Sequence, residues 1–224
     1  MEKKVFAIVP VKRLENAKTR LSTILSEDDR SRLSYMMTRE TLRRLGACTQ
    51  LERVIVVSSD ERAKELASLH GATFLHEEKD NGVNAAVSLA DKYCLDHRAD
   101  ASIVVPQDLP LLDPQEISTV CELAELESRC IVICPSQRYD GTNLLLRKPP
   151  SAIPTFFDSN SYENHIAEAK KNGMSVRLFM SKKLMLDVDT PEDARQLLLL
   201  QQESAGPESE PLQFLRQKVA KPVP

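Results

Sequence analysis

The 224-residue sequence contains no tryptophan, and aromatic residues make up only 4% of it. Its formal net charge is −3, so it lacks the basic surplus with which proteins hold a nucleic-acid backbone. The scarcity of aromatic rings also argues against a surface on which single-stranded bases stack. We therefore expect no nucleic acid among the partners of this protein.

Long apolar segments and paired cysteine motifs are absent as well. No stretch reaches the roughly 18 apolar residues of a membrane span, and the first apolar run is too short for a signal peptide. The five cysteines include no Cys-x-x-Cys pair, and the four histidines lack metal-ligand spacing. These absences predict a cytoplasmic protein with free thiols, no membrane partner and no structural zinc site.

Short apolar runs alternate with longer amphipathic segments over residues 1–202, which is typical of one α/β domain. Residues 142–147 are predicted to form a strand that runs antiparallel, and residues 184–186 a late short strand. The polar, proline-rich segment 203–224 is predicted to be a tail that is partly disordered or docked on the domain. An apolar helix face at residues 197–200 suggests a homodimer.

The most informative segment is the loop after the first apolar run. Residues 10–21 include four basic side chains, namely Lys12, Arg13, Lys18 and Arg20, and no glycine. Because ligands of open α/β sheets bind beyond the carboxyl ends of the strands, this loop is a candidate polyphosphate site. Without glycine it is neither a P-loop nor a Rossmann fingerprint, so side chains must hold the phosphates. A solvated basic loop is the competing interpretation, and the loop alone favours it.

Acidic residues follow two later apolar segments. Asp108 comes directly after an apolar strand, where Mg²⁺ would find a carboxylate beside substrate phosphates; a local turn is the alternative. Asp187 and Asp189 share one face if the chain is extended there. Residues 190–193 have the composition of a helix start, which explains them by capping but does not explain Asp187 and Asp189.

Three further segments carry polar groups that could bind a ligand. Gly82 and Asn84 open a helix, where glycine permits close backbone approach and the amide can pair with a base edge; an ordinary turn and N-cap is the alternative, and these residues alone favour it. Residues 138–143 are either a binding loop or an Asp-Gly turn. Ser161 and His165 lie one turn apart at a helix start and could meet an anion, or His165 could simply pack. No covalent nucleophile is required, because phosphoryl-type transfer can proceed by positioning and electrostatics.

In this order the motifs resemble the nucleotidyltransferases of glycosyltransferase-A-like fold, and more narrowly the 2-phospho-L-lactate guanylyltransferase family of coenzyme F420 biosynthesis. The segments that carry the resemblance are Pro10-Val11-Lys12, Ala17-Lys18-Thr19-Arg20-Leu21, Gly82-Val83-Asn84, Asp108-Leu109-Pro110-Leu111, Asp140-Gly141-Thr142-Asn143 and Asp187-Val188-Asp189-Thr190-Pro191-Glu192-Asp193. The resemblance implies a single-domain, three-layer α/β/α Rossmann-like fold with a mostly parallel sheet and antiparallel additions. The chain departs from the superfamily in lacking a glycine pair in the first loop, and from the family in lacking a glycine before Ser161.

The resemblance further implies transfer of GMP from GTP to the phosphate of 2-phospho-L-lactate, with Mg²⁺, or alternatively Mn²⁺, as cofactor. The products would be lactyl-2-diphospho-5′-guanosine and pyrophosphate. The residues that it implies are, for catalysis, Lys12, Lys18, Arg20 and Asp108; for the nucleotide, Pro10, Val11, Lys12, Gly82, Asn84 and Pro106; for the acceptor, Thr142, Asn143 and Ser161; and for the metal, Asp108 and Asp189.

Alternatives of three kinds stay open. Phosphoenolpyruvate, 3-phosphoglycerate, molybdopterin or a sugar phosphate could replace phospholactate as the acceptor. A glycosyltransferase could use residues 187–189 as an Asp-x-Asp metal motif, although that motif lies late in the chain and the basic loop would then be unexplained. Such an enzyme would release a nucleoside diphosphate, not pyrophosphate. A non-catalytic nucleotide-binding protein would bind without turnover.

Overall fold

A computed structural model describes residues 4–202 and 208–219. In this part of the chain a seven-stranded sheet carries helices on both faces, which confirms the predicted fold class. The strands are β1 (Val5–Pro10), β2 (Leu51–Ser58), β3 (Thr73–His76), β4 (Ala101–Val104), β5 (Cys130–Pro135), β6 (Thr142–Lys148) and β7 (Ser175–Leu178). The helices are α1 (Glu27–Gly46), α2 (Glu61–Leu69), α3 (Val83–Asp96), α4 (Pro114–Glu125), α5 (Ser161–Lys171), α6 (Pro191–Gln202) and α7 (Glu210–Val219).

The direction of β6 determines where polar residues of distant segments meet. The strand order is β3-β2-β1-β4-β6-β5-β7, and β6 pairs antiparallel with both β4 and β5, as predicted. The pairs β1–β2, β1–β4, β2–β3 and β5–β7 are parallel. Because β6 runs against its neighbours, its first residue, Thr142, pairs with Pro135 at the end of β5. The start of β6 and the ends of β1, β4 and β5 therefore lie at the same edge of the sheet.

The central strands are buried on both faces, which explains their continuous apolar sequence. Along β1, Val5, Ala7 and Val9 pack in a cluster that includes residues of α1, α2 and α4. Phe6 and Ile8 point to the opposite face and pack with residues of α3 and α5. The alternation produces the three layers of the fold.

Several helices begin at the side chains that the sequence offers as N-caps. The Ser26 hydroxyl accepts a hydrogen bond from the Asp29 N–H at the start of α1, and Asp113 caps α4. Asp60 caps α2 and also accepts the N–H of Leu14 at 2.9 Å, which ties the loop after β1 to α2. No helix in the described ranges is long and apolar enough to cross a membrane.

The tail predicted over residues 203–224 lies partly outside the described residues, which omit 203–207 and 220–224. Within it, α7 packs against α1 and α6 through Leu212, Phe214 and Leu215. The Phe214 ring also lies under two cations, the Arg32 guanidinium and the Lys218 ammonium. This stretch of the tail is thus helical and docked on the domain.

The helix face that suggested a homodimer is covered mainly from within the chain. Leu197 and Leu198 on α6 are buried in the same cluster as the apolar side chains of α7. Leu199 remains exposed, as a single residue. These leucines therefore do not support the predicted dimer.

The strand predicted over residues 184–186 does not form, so that prediction is wrong. The Ser181 hydroxyl accepts the N–H groups of Lys183 and Leu184, and the Ser181 carbonyl accepts the N–H of Met185. These bonds close a turn. The apolar residues at alternate positions are buried, but the segment lacks the row of cross-strand hydrogen bonds that defines a strand.

A buried ion pair links the sheet to α3. Arg147, on β6, donates two hydrogen bonds to Asp91 at 2.8 and 2.5 Å, and also bonds Ser102 and the Ile153 carbonyl. We expect Arg147→Met to lower the free energy of unfolding by about 3–5 kcal/mol, because Asp91 is then buried without a cation. The double variant Arg147→Met/Asp91→Leu should lose much less in denaturant unfolding. Equal losses in the single and double variants would contradict this explanation.

Candidate active site

A cavity of about 700 Å³ lies at the sheet edge where β1, β4 and β5 end and β6 begins. It is lined by the loops after β1 and β4, the β5–β6 hairpin, the segment before α5 and the segment before α6. With Val83 at the start of α3, six separate parts of the chain contribute side chains to one site. This is the edge at which the ligands of open α/β sheets bind.

Three carboxylates meet in this cavity. Asp108 follows β4, and Asp187 and Asp189 precede α6; each offers an oxygen, and these oxygens all lie within 4.8 Å of one another. Asp108 and Asp189 are the two predicted metal ligands. Asp187 was missing from the predicted metal set, although its spacing from Asp189 on an extended segment was the signal that could have found it. Oxygen donors of this kind suit Mg²⁺ or Mn²⁺.

Lys18 lies among the carboxylates. Its Nζ donates hydrogen bonds to Asp108 at 2.7 Å and Asp189 at 2.9 Å, and its side chain is only 5% exposed. The backbone of Lys18 has a φ of 58°, in the left-handed region that non-glycine residues seldom adopt. Burial opposes the charge on Lys18, but the two aspartates outweigh it and raise the pKa of the amine above its ordinary value.

The charges in the cluster are unevenly compensated. Burial, reinforced by Asp108, raises the pKa of Asp187 to about 6. Burial also opposes ionisation of Asp189, but Lys18, Arg20 and Lys12 together hold the pKa of that carboxyl below its ordinary value. The cluster therefore carries an excess of negative charge around Asp187, which a divalent cation would relieve.

The helix start at α6 positions Asp189. Asp193 accepts the N–H groups of Thr190 and Asp189, and the Thr190 hydroxyl accepts the N–H of Asp193 in return. Arg138 donates to the other carboxylate oxygen of Asp193 at 3.1 Å. This reciprocal capping accounts for Thr190 and Asp193, and it leaves Asp187 and Asp189 for the cavity.

Two amide side chains support the other carboxylates. The Gln107 side chain is hydrogen-bonded to Thr38 and Ser34 of α1, which anchors the residue before Asp108. Asn143 donates one amide hydrogen to Asp187 at 3.1 Å and one to the Leu184 carbonyl at 3.0 Å. Asn143 was predicted to bind the acceptor, but both of its donors are directed at the chain. Neither support was predicted.

The basic loop contributes two further cations to the cavity. Lys12 and Arg20 line it, and both act electrostatically on Asp189. Arg13 instead pairs with Glu15 at 3.7 Å. The predicted group Lys12, Lys18 and Arg20 is thus gathered at one site with Asp108, which is more than a solvated loop requires.

The residues predicted to bind the nucleotide are only partly brought together. Pro10, Pro106 and Lys12 line the cavity, together with Val83 from the start of α3, while the side chain of Val11 is buried in the core. Gly82 precedes α3 with a φ of 87°. The Asn84 amide accepts the Phe157 N–H and donates to Asp158, both at 2.8 Å. Asn84 therefore ties α3 to the segment before α5.

A pair of hydroxyls lines the cavity at the starts of β6 and α5. Thr142 and Ser161 both line the cavity and are nearly buried. The Ser161 hydroxyl donates to Thr142 Oγ1 at 3.1 Å. His165, fully buried one turn further along α5, approaches Thr142 Oγ1 through Nδ1 at 3.1 Å. Thr142 and Ser161 are the predicted acceptor residues.

Known structures share this architecture. A candidate nucleotide-diphospho-sugar transferase from Desulfovibrio desulfuricans G20 superimposes with a TM-score of 0.79 over 96% of this chain and 95% of that one, at 17% identity. A cytidylyltransferase from Leptospira borgpetersenii superimposes with a TM-score of 0.58 over 100% and 99%, at 14% identity. At these identities the similarity shows the fold, which is that of the nucleotidyltransferases.

Sequence comparison identifies a particular family among the nucleotidyltransferases. Residues 5–220 match the family described as "Guanylyl transferase CofC like". A phosphoenolpyruvate guanylyltransferase from Rubrobacter xylanophilus is 38% identical over 86% of this chain and 93% of its own. A 2-phospho-L-lactate guanylyltransferase from Methanothermobacter thermautotrophicus is 36% identical over 88% and 85%. The chain belongs to this guanylyltransferase family and is a nucleotidyltransferase, as its motifs predicted.

Proposed function

We propose that the protein transfers GMP from GTP to the phosphate of 2-phospho-L-lactate, releasing pyrophosphate. The observation that supports it best is the placement of Lys18 and three carboxylates beside the Thr142–Ser161 hydroxyl pair. One half of the cavity is suited to a triphosphate and a cation, and the other to a small acid. Phosphoenolpyruvate is the second candidate acceptor, because similar relatives carry that name.

The basic loop supplies the charge that a triphosphate requires. Lys12 and Arg20 line the cavity, and we assign them to the β- and γ-phosphates through charge-assisted hydrogen bonds. Lys18 is held rigidly by its two ion pairs. A preorganised cation at the α-phosphate needs no rearrangement when charge develops on the departing pyrophosphate. Pro10, Val83 and Pro106 would flank the base.

The carboxylate cluster fits a divalent cation. Asp108, Asp187 and Asp189 offer only hard oxygen ligands, and the raised pKa of Asp187 marks negative charge that the chain itself leaves uncompensated. We propose that these three residues hold Mg²⁺ or Mn²⁺. When bound, the cation supplies Lewis-acid stabilisation of phosphate oxygens and screens the repulsion between nucleotide and acceptor. Asn143 keeps Asp187 in position.

The acceptor half of the cavity is small and rich in hydroxyl groups. Thr142 is placed to donate a hydrogen bond to an anionic group of the acceptor, and Ser161 supports it by donating to Thr142 Oγ1. Asn143 donates both of its amide hydrogens within the chain, to Asp187 and to the Leu184 carbonyl. We therefore assign it to positioning the carboxylate cluster and not to binding the acceptor.

The chemistry then needs no covalent enzyme intermediate. An oxygen of the acceptor phosphate attacks the α-phosphorus of GTP and forms the new P–O–P bond. The bond between the α-phosphorus and the oxygen that bridges to the β-phosphorus breaks, and pyrophosphate leaves with that electron pair. The attacking oxygen is already anionic, so no general base is required. Positioning and electrostatics carry the reaction.

The test is pyrophosphate release by the purified protein with Mg²⁺, comparing GTP with ATP, CTP and UTP against 2-phospho-L-lactate and phosphoenolpyruvate. We expect release that requires GTP and one of these acids together. Preference between the two acids decides the acceptor. Release only with 3-phosphoglycerate, molybdopterin or a sugar phosphate would reject the acceptor class, and release of a nucleoside diphosphate would reject the reaction.

A further inference from the structure

We infer that His165 is a positioning residue that directs the hydroxyl hydrogen of Thr142 toward the anionic group of the acceptor. The inference rests on the proposed function in one respect, the assignment of the Thr142 hydroxyl to the acceptor half of the cavity. His165 itself is fully buried on α5 and contacts the site through Thr142. It does not touch the reacting atoms.

The direction of the hydrogen bonds follows from one backbone group. The N–H of Phe156 lies 2.9 Å from His165 Nε2, and a backbone N–H can only donate. Nε2 must therefore accept, so in a neutral ring the proton resides on Nδ1. Burial, reinforced by Arg147, lowers the pKa of His165 to about 4, which keeps the ring neutral near pH 7.

The fixed tautomer determines what Thr142 can do. The Nδ1–H of His165 donates to Thr142 Oγ1 across 3.1 Å, and the Ser161 hydroxyl donates to the same oxygen. Thr142 consequently cannot give its own hydrogen to His165. Since Thr142 lines the cavity, that hydrogen is available to an anion there. Donation into Thr142 Oγ1 also polarises its O–H bond and makes it a stronger donor.

His165 also holds the wall of the acceptor half. Besides the Phe156 N–H, it contacts the rings of Phe156 and Phe157, whose centroids lie 5.9 and 5.0 Å from its own. The segment that follows, residues 158–160, lines the cavity before α5 begins at Ser161. One side chain thus fixes both the orientation of the Thr142 hydroxyl and the position of the adjoining segment.

A matched pair of variants separates these two effects. His165→Gln can keep an acceptor near the Phe156 N–H but has lost the Nδ1 donor to Thr142. His165→Asn can keep a donor near Thr142 but has lost the acceptor. Because His165 is inferred to orient the Thr142 hydroxyl, we expect His165→Gln to raise the acceptor KM about tenfold or more, the effect of one hydrogen bond to a charged group. In His165→Asn the acceptor KM should stay within about threefold of the wild-type value. The KM for GTP should stay unchanged in both variants.

The control is His97→Asn, a histidine at the exposed end of α3, which should leave both KM values unaltered. A merely structural His165 would lower the folded fraction and leave the KM values of the folded enzyme alone, so thermal unfolding is measured alongside. The inference is overturned if His165→Asn and His165→Gln raise the acceptor KM equally, or if the KM for GTP rises in parallel.

A second measurement does not depend on turnover. Long-range ¹⁵N–¹H NMR correlations of the wild-type protein distinguish the two histidine tautomers. We expect a neutral His165 with its proton on Nδ1 at pH 7; a proton on Nε2, or a charged ring, would overturn the inference. If wild type shows the expected tautomer and yet releases no pyrophosphate with any acceptor, the proposed function fails and the hydrogen-bond arrangement stands.

Discussion

Asp187→Asn is expected to reduce turnover by about 10²- to 10³-fold, because loss of one metal-binding carboxylate removes several kcal/mol of transition-state stabilisation. The same change is expected to stabilise the folded protein at pH 7 in the absence of divalent cations. Asp187 shares a partly buried cluster with Asp108 and Asp189, and Lys18 pairs with those two alone. The neutral amide removes this repulsion.

The pH dependence of that gain has a definite sign. The pKa of Asp187 is about 6 in the folded protein, whereas an unperturbed aspartate titrates near 3.9. The folded state therefore binds more protons between these values, and wild type loses stability as the pH rises from about 4 to 6. The variant should exceed wild type by at most about 3 kcal/mol at pH 7, and the difference should vanish near pH 4.

Denaturant unfolding at pH 4 and pH 7, with pyrophosphate release on the same preparations, checks both effects. Asp96→Asn is the matched control, since it removes one carboxylate from the exposed end of α3; it should change neither quantity appreciably. An Asp187→Asn variant that retains full turnover would remove Asp187 from the proposed metal site. A variant less stable than wild type at pH 7 would contradict the electrostatic argument.

The parts of the site that the sequence could predict are those fixed by strand ends. Asp108 belongs to the loop after the apolar strand β4, and Lys12 and Lys18 belong to the loop after β1, so the rule for open α/β sheets places them at one edge. The start of β6 joins that edge because the strand is antiparallel. Local sequence patterns were sufficient to predict where these residues lie, because their position depends only on the direction of the adjoining strand and on where that strand ends.

The remaining features depend on contacts between distant segments. Asn143 donates a hydrogen bond to Asp187, 44 positions away, and Asn84 donates one to Asp158, 74 positions away. In the sequence, each asparagine can be explained by a local turn or helix cap. Its actual hydrogen-bond partner is determined by tertiary packing, which the sequence pattern does not contain. The error at residues 184–186 has the same origin, since burial at alternate positions indicates an extended chain but not a strand beside it.

The largest combined loss of activity and stability is expected for Lys18→Met. The methionine fills a similar volume but leaves Asp108 and Asp189 without the cation that now lies 2.7 and 2.9 Å from them. Breaking a fully buried ion pair typically lowers the free energy of unfolding by about 3–5 kcal/mol. The Asp108 and Asp189 side chains are 21% and 40% exposed, so solvent screens them and we expect a smaller loss of about 1–3 kcal/mol. Turnover should fall at least about 100-fold at saturating GTP, because the preorganised charge at the α-phosphate is lost.

The stability loss should depend on pH and on Mg²⁺. Lys18 lowers the pKa of Asp189, so its stabilisation is present above the unperturbed value near 4 and disappears as the pH falls further. The difference from wild type should therefore shrink in acid. Mg²⁺ should raise the melting temperature of Lys18→Met more than that of wild type, because the three carboxylates then lack the ammonium group that competes with a bound cation.

The control is Lys12→Met, which removes an exposed lysine of the same loop that also lines the cavity. It should leave the free energy of unfolding and the Mg²⁺-induced shift close to those of wild type, since it removes no ion pair from the cluster. Equal destabilisation by the two variants would mean that the loop stabilises the fold through its overall positive charge. The specific ion pairs of Lys18 would then not explain the loss. A Mg²⁺ shift that is no larger in Lys18→Met would show that the cation does not bind the carboxylates that the ammonium group contacts, and the carboxylate cluster would then be an ion-pair network without a metal.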